Sequence, residues 1–71
     1  MLSRDLLIRS HAKNDAELSR LVTEHRDLDR DLEQLESQRW LTPTEQARVK
    51  HMKRLKLQRR DAIDAILERY R

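Results

Sequence analysis

The stretch LIRSHAKNDAELSRLVTEHRDLDRDLEQL, residues 7–35, decides the fold of this chain. Steps of four and three residues through it give a nearly unbroken heptad, rich in leucine: Leu7, His11, Asn14, Leu18, Leu21, His25, Leu28, Leu32 and Leu35. An average step of 3.5 residues keeps one face of a helix turned toward a partner helix over many turns. The stretch therefore predicts a long α-helix that packs against another helix.

The heptad is interrupted once, just before Pro43. Proline is excluded from helix interiors but favoured at the first helical position, which makes Thr42 the N-cap of a second helix. Glu45, three residues after Thr42, completes the pattern of a capping box. The sequence predicts an all-α fold: a single domain, residues 1–71, forming an antiparallel two-helix coiled-coil hairpin with helices over 3–39 and 43–69 and a corner at 40–42.

The composition suggests that the hairpin needs a partner. A chain of 71 residues rarely buries enough apolar surface alone, and the absence of cysteine excludes disulfides and thiolate zinc sites. Charged residues make up 41% of the chain and helical periodicity is strong, as in long, solvent-exposed helices. We expect a homo-oligomer, a dimer forming a helical bundle. We expect no membrane span and no secretion signal, and hence a cytoplasmic protein.

The proposed hairpin leaves its N-terminal end uncovered, because pairing positions have residue numbers that sum to about 82 and residues 1–10 extend past the second helix. The apolar residues in this overhang are then candidates for contact with another molecule, although a frayed terminus is the alternative interpretation. The predicted self-association surface combines the overhang with leucines of the seam: Leu6, Leu7, Ile8, Leu18, Leu21, Leu28 and Leu32.

Four polar residues fall in the predicted seam: His11, Asn14, His25 and Arg59. A buried polar residue there can fix register or oligomeric state. The two histidines lie about 21 Å apart along a helix and cannot share an ion, so we interpret them as structural, with no metal or cofactor. Arg59 is expected to extend its head group toward Glu24. Two helices offer no concave active site, so we expect no enzymatic activity.

A basic run in the second helix, from Arg48 to Arg60, contains seven bases and no acid. It allows two interpretations, a phosphate-binding stripe or ion pairing with the acidic run from Glu24 to Glu36, which the hairpin places alongside it. The pairing explains both runs and is preferred. The residues assigned to partner or phosphate contact are Arg48, Lys50, Lys53, Arg54, Lys56, Leu57 and Arg60.

Two motifs carry a family resemblance: Leu21-x-x-x-His25-x-x-Leu28-Asp29-x-x-Leu32-x-x-x-Glu36 and Met52-Lys53-x-x-Lys56-Leu57-x-x-Arg60-Asp61-x-Ile63. Across residues 18–67 the chain resembles the YdcH-like family of small bacterial helical hairpins, a domain of unknown function. The resemblance implies a hairpin and marks His25, Leu28, Asp29, Lys56, Leu57 and Asp61 as signature positions without assigning them a role. Arg59 departs from it, since the family usually has an apolar residue there.

These observations predict a small non-enzymatic adaptor or regulatory module that self-associates and binds an unidentified protein partner. Its surfaces would be the overhang and the outer face around Lys56 and Leu57. Trp40 is expected to cover Leu35 and Ala47 at the corner. The alternative is a nucleic-acid-binding protein that uses the basic run.

Overall fold

A computed structural model describes residues 3–70 and confirms the all-α fold class. Helix α1 spans Arg4–His11, α2 spans Ala16–Glu36 and α3 spans Pro43–Leu67, and a short 3₁₀ turn, Glu68–Tyr70, follows α3. Within the described part of the chain there are no strands. Helices α2 and α3 form the antiparallel hairpin, and α1 is an additional element at its open end.

The start of α3 carries the capping box that the sequence indicates. The Glu45 backbone N–H donates to Thr42 Oγ1 at 3.1 Å, and the Thr42 N–H donates to Glu45 Oε1 at 3.0 Å. Pro43 occupies the first turn, where its missing N–H costs no hydrogen bond. The helix therefore begins where local sequence signals place it.

The first predicted helix, 3–39, is wrong as a continuous element. It is broken between His11 and Ala16, and α2 ends at Glu36. Asp15 causes the new start: its backbone is extended, with φ −126° and ψ 100°, and its Oδ1 accepts from the Leu18 N–H at 3.0 Å. An N-cap of this kind satisfies a backbone donor that the first turn leaves free.

Helix α1 folds back beside the hairpin, so the predicted overhang is also wrong for residues 3–10; its first two residues lie outside the described part of the chain. Its start lies near His25 and Asp64 and its end near Tyr70, which makes it antiparallel to α2 and parallel to α3. Leu7 is only 2% exposed. It belongs to a core at the open end of the hairpin, whose buried members are Leu7, Leu18, Leu21, Val22, Ile63, Ile66 and Leu67.

A second, smaller core lies near the corner. Leu32, Val49 and Met52 are buried there, and Leu35 and Leu41 pack against them. Trp40 is 81% exposed, so the expectation that it covers this end is wrong. The corner is closed by aliphatic side chains from α2, α3 and the connecting segment.

Candidate interaction surface

Ion pairs join the acidic run of α2 to the basic run of α3, as the hairpin pairing predicts. Lys53 Nζ lies 3.4 Å from Glu36 Oε2, and Lys56 Nζ lies 2.5 Å from Asp29 Oδ1. Arg59 Nε donates to Glu24 Oε2 at 2.7 Å, so the expected reach of Arg59 toward Glu24 is confirmed. Partly exposed pairs of this kind stabilise a fold by only about 0–1 kcal/mol each, and their main effect is to fix orientation.

The other bases of the run remain without an ion pair among residues 3–70: Arg48, Lys50, Arg54 and Arg60. Three of these four flank Leu57, at positions seven and three residues before it and three after it on α3. Residues at these spacings share one side of a helix. Leu57 itself is 55% exposed. We call this surface, comprising Lys50, Lys53, Arg54, Leu57 and Arg60, the Leu57 face.

A groove of about 530 Å³ runs beside the Leu57 face and extends to α1. Glu36, the acidic residue among those that line it, is already bonded to Lys53. Four other side chains that line the groove are cationic, namely Arg4, Lys53, Lys56 and Arg60; His25 also lines it, and Leu57 lies at its edge. We call it the basic groove, and an occupant would need a negative charge and an apolar group.

At one end of the basic groove, positively charged side chains lie near the His25 ring. Burial lowers the pKa of the His25 imidazole, and the charges of Lys56, Arg4 and Arg60 lower it further, against an opposing effect of Asp29. These three cationic side chains, which belong to α1 and α3, line the same groove as His25. Arg4 Nη2 is buried and has no hydrogen-bond partner, although Arg4 Nε donates to Asp64 Oδ1 at 2.7 Å. This end of the groove therefore favours an anionic group.

The residues assigned to self-association are distributed differently from the prediction. Leu7, Leu18, Leu21 and Leu32 are buried within a single chain. Ile8 and Leu28 are partly buried, and Leu6 is 47% exposed. Much of the apolar seam is thus covered by the chain's own helices. Self-association stays a prediction.

The four predicted seam residues occupy different environments. The His11 ring stacks on Tyr70, with ring centroids 3.9 Å apart and 11° between the planes. His25 and Arg59 are partly buried against the hairpin. Asn14 is exposed in the turn before α2, where its N–H donates to the His11 carbonyl at 3.1 Å, so its assignment to a seam is wrong. The turn removes it from the helical register.

Sequence reasoning missed a contact between the residue that caps α2 and the 3₁₀ turn that follows α3. The Tyr70 hydroxyl donates to Asp15 Oδ2 at 2.7 Å. The Leu18 backbone N–H and this hydroxyl lower the pKa of the Asp15 carboxyl, and the bond to Asp15 raises the pKa of the Tyr70 phenol. The sequence signal for this contact was Asp15 itself, a good N-cap residue.

No group of three or more His, Asp or Glu side chains within residues 3–70 is arranged to hold a metal ion. None of the helices in that range is long and apolar enough to cross a membrane.

Two antiparallel helices with paired charges and a folded-back N-terminal helix define a small helical-hairpin protein. Residues 18–67 match the family described as "Protein of unknown function (DUF465)", the YdcH-like family, and the chain belongs to it. No curated protein and no solved structure gives a significant match. Helix α1 lies outside the matched region. Of the signature positions, Asp29 and Lys56 form an ion pair, and both act on the pKa of His25.

Proposed function

We propose that this protein is a non-enzymatic interaction module that self-associates and binds an acidic, amphipathic helical segment of a protein partner. One observation carries the proposal: Leu57, 55% exposed, lies between unpaired bases at the edge of the basic groove. An exposed leucine alone is common on soluble proteins. A leucine framed by Lys50, Arg54 and Arg60 offers an apolar contact and complementary charge to the same ligand.

The energetics assign different roles to the two kinds of contact. Covering the exposed half of Leu57 is worth about 1 kcal/mol, from about 1.5–3 kcal/mol for a fully buried side chain. Lys53 and Lys56 already have acidic partners, so they gain less from a ligand than Arg54 or Arg60. Unpaired surface charges chiefly raise the association rate and select the sign of the partner. The unpaired bases of the Leu57 face therefore select an acidic helix, and Leu57 itself lengthens the residence time of that helix.

Nucleic-acid binding is the second candidate, and a separate observation favours it. Arg48, Lys50, Arg54 and Arg60 have no ion pair within the described chain, so phosphates would not have to displace carboxylates from them. No aromatic side chain interleaves these bases, and a basic stripe without aromatic or base-edge contacts binds backbone phosphates without reading sequence. Such binding would fall steeply with salt.

One titration series separates the two candidates. Fluorescence anisotropy is measured with a labelled synthetic peptide of alternating Glu-rich and Leu-rich helix faces, and with a labelled DNA duplex, each at two salt concentrations. The variants are Leu57→Ala and the charge-reversed pair Lys50→Glu with Arg54→Glu. Leu6→Ala is the matched control, because Leu6 is 47% exposed but belongs to α1 and does not line the basic groove.

The peptide-binding function predicts that Leu57→Ala weakens peptide binding about 5-fold or more, while Leu6→Ala has no effect. The nucleic-acid function predicts salt-sensitive duplex binding that survives Leu57→Ala and is lost on charge reversal. Equal peptide affinities for the Leu57 and Leu6 variants would remove Leu57 from the binding surface. No binding of either probe at low salt would refute both assignments.

A further inference from the structure

We infer that α1 is an exchangeable helix: residues 12–15 straighten, α1 and α2 join into one helix, and α1 docks on α2 and α3 of a second copy. This inference rests on the self-association part of the proposed function and names its mechanism. The docking surface is the core at the open end of the hairpin, around Leu18 and Ile63. In the exchanged form this surface is covered by α1 of a second, identical chain.

The heptad register is the first observation behind it. Leu7, His11, Asn14 and Leu18 are spaced by four, three and four residues, which continues the α2 register without a shift. We call the single chain with α1 docked on its own hairpin the closed chain. In the closed chain a turn separates α1 from α2 and the two helices are antiparallel, so the packing of α1 does not require that it share a heptad register with α2. A continuous helix does require it. The sequence therefore satisfies a straight helix as well as the folded-back one.

The segment that breaks the helix contains no residue that forbids one. It reads Ala-Lys-Asn-Asp, with no glycine or proline. No described residue has a positive φ, and Ala12 is already helical, at φ −59° and ψ −32°. Asp15 is held extended by its cap. Straightening thus replaces the Asp15 cap with ordinary helical hydrogen bonds across the joint, and the straight helix requires only sterically allowed backbone angles of these four residues.

The direction of α1 fits a two-fold dimer. Because α1 is antiparallel to α2 in the closed chain, a straightened α1–α2 helix docked the same way places the α2 helices of two copies antiparallel. A two-fold axis that is perpendicular to the joined helices and passes near residues 12–15, which we call the hinge, produces that arrangement. The contacts of Leu7 with the core, of Arg4 with Asp64 and of His11 with Tyr70 would then re-form between copies. Since these contacts are shared, the two forms differ mainly at the hinge.

Interchain disulfides test the exchange directly, since the natural chain has no cysteine. Arg4→Cys and Asp64→Cys chains are mixed at up to about 1 mM, where exchange competes with intramolecular docking, and oxidised. The control pair is Glu36→Cys with Lys53→Cys, which reports an α2–α3 contact that exchange leaves within one chain. A heterodimer in the first mixture alone supports the exchange. No heterodimer, or equal yields in both mixtures, overturns it.

A hinge variant provides an independent test by solution mass. In Ala16→Pro the proline occupies the first position of α2, where it is tolerated, but in a straight helix it would clash with the Ala12 carbonyl. We expect unchanged helical circular dichroism and dimerisation weakened more than about 100-fold. Asp15→Ala, which removes the cap used by the closed form, should strengthen dimerisation. If Ala16→Pro does not affect dimerisation, the exchange is overturned. A loss of peptide binding in the Leu57→Ala variant tests the basic groove and has no bearing on the exchange.

Discussion

Leu7 gives the sharpest test of the docked position of α1. Leu7→Ala removes a side chain that is 2% exposed and packed with residues of α2 and α3. Buried Leu→Ala changes cost about 2–5 kcal/mol, from lost transfer free energy and the cavity left behind. Helix α1 has eight residues and is too short to be stable alone, so it can undock and limit the loss to its docking free energy. We therefore expect the lower end, about 2–3 kcal/mol of unfolding free energy.

Urea denaturation followed by far-ultraviolet circular dichroism measures this loss at a concentration where the protein is monomeric. Leu6→Ala is the matched control: it makes the same chemical change one residue earlier, at a side chain that is 47% exposed. It should alter the unfolding free energy by less than about 0.5 kcal/mol. If the two variants are equally stable, α1 does not pack on the hairpin through Leu7, and the docked position described above is incorrect.

Other predictions concern pH and capping. Asp15→Asn should lower the pKa of Tyr70, the single tyrosine, which is titrated by phenolate absorbance. In the native protein the pKa of Tyr70 is raised, so the hydrogen bond between Tyr70 and Asp15 weakens as pH rises above about 10. A Tyr70 titration midpoint that is unchanged in the variant would disprove this hydrogen bond. Measured by NMR, the His25 pKa should lie below about 6.5, and it should rise in Lys56→Met. The unfolded chain binds the His25 proton more tightly than the folded chain does. The histidine therefore contributes stability that is lost as the pH falls from its pKa in the unfolded chain to its pKa in the folded chain. Thr42→Ala should lower the unfolding free energy by about 1 kcal/mol in the same urea assay, and no change would show that the capping box is not formed in solution.

The features that the sequence predicts well are those with local or strongly repeated signals. The capping box at Thr42 and Glu45 needs only four consecutive residues, so its position follows directly from the sequence. The alignment of the acidic and basic runs follows from the position of the corner, and it places Arg59 beside Glu24. These two signals are sufficient for the hairpin and for much of the charge distribution around the basic groove.

The position of α1 could not be predicted in the same way, because its signal is weak and a stronger pattern hides it. Asp15 is a good N-cap residue, but Leu18 three residues later does not complete a capping box. No glycine or proline marks the turn. The contribution of Arg4 to the basic groove depends on this turn, so that part of the candidate site was missed as well.

The disagreement between pattern and structure falls at the residues where exchange would act. A four-residue connection holds α1 close to its own docking surface, at an effective concentration in the millimolar range for a short flexible linker. The closed chain therefore prevails in dilute solution even when a second copy offers the same contacts. The hinge moves this balance: the Asp15 cap favours the closed form, and an unbroken heptad favours the straight one. Asn14 is exposed in the closed form and lies in the heptad register of the straight form. Exchange between the two forms accounts for a heptad that continues through the turn, which the closed form alone does not require.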